Sequence, residues 1–222
     1  MYKNFCGKVH KEIPRGTVLT ILIPGESLTD QLDKFTDAEV FYGEIRIDDG
    51  RTIRADQRKK AWAILGDISN YNGDDKDTNH GHLKNEYTTK TGEELFSLRD
   101  CSVTTARHYI SFLLDFCMEW GIALSAPLND RTDDISAAIY SSLMHKRCIV
   151  CGQPGELHHV DRVGMGRNRR EIVHIGMSVM CLCRLHHDES HQIGQSEFDE
   201  KWKVYGIKAD EAVCKTYRLK SG

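Results

Sequence analysis

Two short runs near the start of the chain, residues 5–10 and 17–23, are β-prone in their apolar content. Pro14-Arg15-Gly16 lies between them, so the pattern predicts a β-hairpin. A third run, residues 40–47, alternates and ends at the turn signal Asp48-Asp49-Gly50. The period then changes. From Gln57 to Ile68 the apolar residues recur at helical spacing, with Trp62, Leu65 and Ile68 inward and Asp56 placed as N-cap. Residues 70–80 are polar and rich in Gly, Asn and Asp, which reads as a loop. A short helix is expected over 83–87. A longer one over 104–120 would bury Ile110, Leu113, Leu114 and Cys117. Residues 127–134 read as an interdomain linker, and 135–145 as a helix leading into a Cys-rich segment. No internal repeat is evident, and the mixture of short strands and helices predicts an α+β class.

Composition narrows this picture. The 222 residues suffice for one large or two small domains. No apolar run approaches membrane-spanning length, and the opening Met1-Tyr2-Lys3-Asn4-Phe5-Cys6-Gly7 lacks the apolar core of a signal peptide. Eight cysteines, half of them clustered near histidines, point to metal binding in a reducing cytoplasm rather than to a disulfide framework. The formal net charge of -3 is unevenly spread. Residues 146–222 hold 13 Lys and Arg against 10 Asp and Glu, whereas residues 1–145 hold 17 against 23. The C-terminal part is therefore the better candidate for a nucleic-acid surface.

The candidate chemistry lies between Cys148 and His191. Cys148-x2-Cys151 presents two thiolates to one ion, and Cys183-x2-His186 repeats the spacing. Together they make a closed Cys3His tetrahedron of the kind that holds structural zinc. Cys181 would share a strand face with Cys183 and is an alternative third ligand; the x2 spacing to His186 favours Cys183. A second set is imidazole-only. His187 and His191 are four apart, one turn along a helix face, while the adjacent His158 and His159 would point to opposite faces of a strand. Three imidazoles leave coordination positions open for water and substrate. Between the two His pairs, Arg162, Arg167, Arg169 and Arg170 occupy a stretch that also contains Gly164 and Gly166. Guanidinium forks and close backbone approach suit phosphate contact.

The segment from Cys148 to His191 resembles the HNH endonucleases, over residues 146–206, about a quarter of the chain. The resemblance implies a ββα-metal core of two strands, a loop and a helix around one divalent ion, Mg²⁺ or Mn²⁺. It makes His159 the general base and His158, His187 and His191 ligands of the catalytic ion. It makes Cys148, Cys151, Cys183 and His186 a structural zinc site. Glu156 could orient an imidazole or could be an ordinary exposed strand residue. The family's central Asn, nine residues before the first helix histidine, is replaced by Ser178. Ser178 can supply part of its hydrogen bonding, and His174 and Asn168 could supply the rest.

Residues 40–125 resemble the Orf (NinB) recombination proteins of lambdoid phages, through Arg54-x-Asp56-Gln57-x-x-Lys60, the run from Trp62 to Ile68, and Trp120-Gly121-Ile122. That resemblance implies dimers that bind single-stranded DNA and single-strand-binding protein, with Gln57, Arg58, Lys59 and Lys60 as a cationic surface. A solvated helix end is the alternative for those four. The combination resembles HNH recombination nucleases of phages infecting Gram-positive bacteria. Its organisation would be an Orf-like binding domain over 1–130, a linker and helix over 131–145, and an HNH nuclease domain over 146–222. The expectation is a DNA endonuclease of the bacterial host cytoplasm acting on single-stranded or branched DNA, with no membrane partner. Two rival readings stand beside it: a non-enzymatic recombination mediator, and a restriction- or homing-type nuclease.

Overall fold

The computed structural model describes residues 6–13, 16–22, 50–160 and 173–220. The chain divides into two compact units, residues 1–47 and 48–222. In the first unit, β1 (Cys6–Ile13) and β2 (Gly16–Leu22) form the expected antiparallel hairpin. The register runs from Cys6 opposite Leu22 to Ile13 opposite Gly16, with an irregularity between Val9 and Lys11. The run 40–47 lies outside the described residues.

The second unit begins with three helices, α1 (Ala55–Asn72), α2 (Lys76–Thr91) and α3 (Val103–Trp120). Ile64, Leu65 and Ile68 of α1 pack against Leu83 and Tyr87 of α2 and against Ile110, Leu113, Leu114 and Cys117 of α3. Leu65, Ile68 and the four α3 residues are buried as the periodicity predicts, while Trp62 is only partly so. Edge-on aromatic contacts among Tyr87, Phe96 and Tyr109, with ring centroids 5.1–5.8 Å apart, fill the space between α2 and α3.

Three local expectations are corrected. Residues 70–80 are mostly helical, and 83–87 is the middle of the 16-residue α2. The polar composition concealed two caps. Gly73 closes α1 in a left-handed conformation, and Asp75 opens α2 by accepting from the amides of Asp77 and Thr78. The break between the helices is thus three residues long. The N-cap position of α1 is held by Arg54, not Asp56. The Gln57 amide oxygen accepts from the Arg54 backbone N–H, and Asp56 pairs with the Arg54 guanidinium from the first turn.

Residues 127–134 carry a short helix, α4 (Leu128–Arg131), with Leu128 buried. Asp133, 6 % exposed, gathers the Arg54 guanidinium at 3.0 Å, Lys60 at 3.6 Å and the Gln57 side-chain amide at 2.6 Å. It ties this stretch to α1. Asp133→Ala removes the shared acceptor and leaves the buried Gln57 amide short of one partner. It should lower stability by about 1–3 kcal/mol. A urea midpoint within error of wild type would show that the network contributes nothing.

Helix α5 (Ile135–Met144) leads to the Cys-rich turn, as expected from the sequence. A three-stranded antiparallel sheet follows, in the order β3 (Glu156–His159), β4 (Ser178–Leu182), β5 (Ile207–Lys208). Helices α6 (Arg184–Ile193), α7 (Gln195–Trp202) and α8 (Glu211–Tyr217) complete the chain. Ile139, Leu143, Ile149, Val179, Met180, Phe198 and Val213 form the core of this part. Met118 from α3 and Leu128 from α4 belong to the same core, and Leu124 packs against both clusters. The architecture is α+β. Among the described residues no helix is long and apolar enough to cross a membrane.

Candidate metal centre and active site

Two separate ligand clusters flank β3 and β4. In the first, Cys148, Cys151, Cys183 and His186 place one ligand atom each within 4.8 Å of one another. The His186 Nδ1 lies 3.2 Å from the Cys183 sulfur and 3.5 Å from that of Cys148, and the Cys151 and Cys183 sulfurs are 3.6 Å apart. The two halves of the cluster are tied through the backbone. Ile149 N–H donates to the Cys181 carbonyl of β4, and Gly155 N–H donates to Lys146 across the turn. Cys183 sits at the N-cap of α6, so the first turn of that helix carries His186 back beside it. Trp202 packs edge-on against the His186 ring at 5.2 Å.

Cys183, not Cys181, is the cysteine brought to this cluster. Cys181 is fully buried in β4, and Gly155 approaches it so closely that a Cβ there would lie 2.8 Å from its sulfur. Burial pushes the Cys181 thiol up to about 11. Burial also pushes the Cys148 and Cys151 thiols up, and holds His186 below the usual histidine range. A cation among these groups would stabilise the thiolates, and His186 is already biased toward the neutral form that can ligate. Three sulfurs and one imidazole are a zinc donor set.

The second cluster comprises His158, His187 and His191, again with ligand atoms within 4.8 Å. His187 and His191 lie one turn apart on α6, with ring centroids 4.8 Å apart, and His158 from β3 meets them at 4.8 and 5.5 Å. His158 is 4 % exposed. Burial holds it below the usual histidine range. The His187, His191 and His159 rings act in the same direction, against its hydrogen bond to Gln195. Glu156 does reach an imidazole: its carboxylate lies 3.3 Å from His187 Nδ1. A partner at Nδ1 favours Nε2 as the atom of His187 left to ligate. The cluster is a three-nitrogen donor set with room for other ligands, which suits a divalent catalytic ion.

His159 occupies the opposite face, as strand alternation requires. Its ring lies 5.2 Å from that of His174, which is buried just before β4 and fixed by its backbone N–H to the Lys220 carbonyl. Ser178 opens β4. Its hydroxyl accepts from Lys208 Nζ at 2.9 Å, and its carbonyl accepts from Val160 N–H. Asn168 and the four arginines Arg162, Arg167, Arg169 and Arg170 lie outside the described residues.

A family model described as "Putative HNHc nuclease" matches residues 30–220. The chain belongs to this HNH nuclease family. No curated protein and no solved structure gives a match. The HNH match covers the α1–α3 helices as well as the two ligand clusters, so the helical part is within the family's own span.

The α1 cations of this HNH protein are largely engaged. Gln57 is fully buried, and Arg58 donates to the carbonyls of Leu98 and Arg99 at 2.8 Å. Lys60 donates to the Thr132 carbonyl and faces Asp133. Lys59 is exposed. Sequence reasoning passed over Gln195, Asp199, Trp202 and Lys208. None belongs to a motif, and each reaches the site only through the packing of α7 and β5.

Proposed function

We propose that this HNH protein is a metal-dependent DNA endonuclease of phage recombination, acting on single-stranded or branched DNA in the cytoplasm of a bacterial host. The observation that carries the reading is the division of four histidines by one short strand. His158 joins His187 and His191 on one side, while its neighbour His159 stands with His174 on the other. A hydrolytic nuclease needs these two functions close together and separate.

A neutral imidazole can accept a proton, so His159 would take the proton of the attacking water. His174 would hold the His159 ring from one side. Ser178 and Lys208 would steady the start of β4 where the family has Asn. A divalent ion bound by His158, His187 and His191, Mg²⁺ or Mn²⁺, would supply Lewis-acid stabilisation of the phosphorane-like charge and the leaving oxygen. Zinc at Cys148, Cys151, Cys183 and His186 would be structural. Arg162, Arg167, Arg169 and Arg170 would contact phosphates.

Residues 1–130 would provide the Orf-like function, engaging DNA or single-strand-binding protein, as a dimer, with Arg58, Lys59 and Lys60 as its cations. Residues 146–222 would cut. This division is one of labour, since residues 48–222 form one compact unit. The engagement of Arg58 and Lys60 leaves Lys59 as the cation best placed to meet phosphate.

Cleavage of supercoiled plasmid, linear duplex, single strand and a four-way junction should require Mg²⁺ or Mn²⁺ and stop in excess chelator. The junction or single strand should be cut fastest. Binding without cleavage would favour the recombination mediator, and sequence-specific cutting of linear duplex would favour the restriction- or homing-type nuclease. His187→Ala and His191→Ala should each abolish most divalent activation, and the double variant should be far less than additive, because the ligands act as a unit. Additive losses would separate the two residues from a common ion.

A further inference from the structure

His158 does not stand alone in its cluster. Its Nε2 lies 2.7 Å from Oε1 of Gln195, and Nε2 of Gln195 lies 2.6 Å from a carboxylate oxygen of Asp199. The direction of this chain is fixed by chemistry. An ionised carboxylate only accepts hydrogen bonds, so the Gln195 NH₂ must face Asp199 and its carbonyl oxygen must face His158. A carbonyl oxygen cannot donate. The proton between Gln195 and His158 therefore belongs to His158 Nε2. Nδ1 is then the ring nitrogen with a free lone pair.

From this geometry we infer that Gln195 and Asp199 are positioning residues for the proposed metal site: they lock His158 in its Nε2–H tautomer and present Nδ1 as the ligand atom. The inference rests on the metal-site reading given above. The local fold is built for the contact. Gly194 joins α6 to α7 with φ 87° and ψ 151°, a backbone conformation essentially confined to glycine. The bend swings the first residue of α7 back over β3. Phe198, fully buried, anchors α7 in the core. Gln195 and Asp199 are four apart on α7, so their side chains meet on one face without reaching across the fold. Burial pushes the Asp199 carboxyl up, and the Gln195 amide acts against that shift.

His187 is held in the complementary state. Glu156 lies against its Nδ1, which leaves Nε2 as the nitrogen able to ligate. The cluster would thus use Nδ1 of the strand histidine and Nε2 of a helix histidine, each selected by a different polar partner. An isolated imidazole exchanges its tautomers freely. A site in which His158 spends part of its time with the proton on Nδ1 loses a ligand for that fraction, and affinity falls accordingly.

The test uses full-length, zinc-replete protein with ¹⁵N-labelled histidine. Two-bond ¹H–¹⁵N spectra report which ring nitrogen of His158 is protonated, with the resonance assigned by its loss in His158→Ala. This readout needs no added second ion and no activity. Wild type should show the Nε2–H tautomer. Gln195→Ala should mix the tautomers and weaken Mn²⁺ binding, followed by electron paramagnetic resonance, by about 10- to 100-fold. Gln195→Glu combined with Asp199→Asn should restore both within a few-fold, because the Glu carboxylate accepts from Nε2–H and the Asn amide donates to its other oxygen. Asp199→Ala should give a smaller loss in the same direction. Zinc content should stay unchanged throughout. An Nδ1–H tautomer in wild type overturns the inference, as does a Gln195→Ala protein with unaltered tautomer and Mn²⁺ affinity. If wild type shows the Nε2–H tautomer but binds no Mn²⁺ at the histidines, the tautomer lock stands and the metal-site reading fails.

Discussion

His159→Ala is expected to lose DNA cleavage by roughly 10²- to 10⁴-fold, the range associated with removing a positioned general base. The expectation follows from where the ring lies. His159 is on the face of β3 away from His158, His187 and His191, so its removal takes no ligand from their cluster. Nor does it belong to the Cys3His set, whose members come from the turn before β3 and from the start of α6. Mn²⁺ binding, zinc content and thermal stability should therefore stay close to wild type while the rate collapses. That combination separates a base from a ligand, because His158→Ala should reduce Mn²⁺ binding and cleavage together. Single-turnover cleavage with saturating enzyme, beside calorimetry of Mn²⁺ binding, makes the comparison. A His159→Ala rate within a few-fold of wild type would transfer the role of base, with His174 the first residue to examine, since its buried ring lies 5.2 Å away.

Removing the structural ion should have the largest effect on folding. The sheet of this region is small: β3 has four residues, β4 five and β5 two. The Cys3His cluster holds the turn before β3 to the start of α6, and α6 in turn carries His187 and His191. Structural zinc in small domains contributes apparent binding free energies of about 10–16 kcal/mol, comparable to the whole stability of an ordinary domain. Cys148→Ser, or dialysis against a strong chelator, should therefore melt residues 146–220. The loss would appear as reduced helical circular dichroism and rapid proteolysis in that region. The α1–α3 cluster has its own buried core and should be the last part to yield. Elemental analysis should find about one zinc per chain. Well-folded protein without zinc, with its thermal transition unchanged, would refute the assignment.

These two predictions draw on different kinds of information. The two ligand sets were legible in the amino-acid sequence because each pair is local. Cys-x2-Cys, Cys-x2-His and His-x3-His are spacings within one turn, and the opposite facing of His158 and His159 needs only that they lie on a strand. The hairpin and the buried face of α3 were legible for the same reason: their periods are set by backbone geometry over a few residues. The α2 helix was not, because its composition is polar and its definition comes from the caps at Gly73 and Asp75 rather than from an apolar stripe.

Relations between distant segments were decided only by tertiary structure. The x2 spacing to His186 favours Cys183 over Cys181, but its release from the core depends on β4 ending at Leu182, since one more strand residue would have turned it inward. Gln57 and Lys60 read as part of an outward cationic surface until Asp133, more than 70 residues away, is packed beside them. Gln195 and Asp199 carry no motif at all. They acquire a role because the bend at Gly194 lays α7 against β3, 37 residues earlier in the chain. The sequence by itself determined which thiols and imidazoles are spaced to gather into two sets. The fold decided which of them meet, and which partners hold them, because those contacts depend on how separate elements pack and not on the spacing within any one of them.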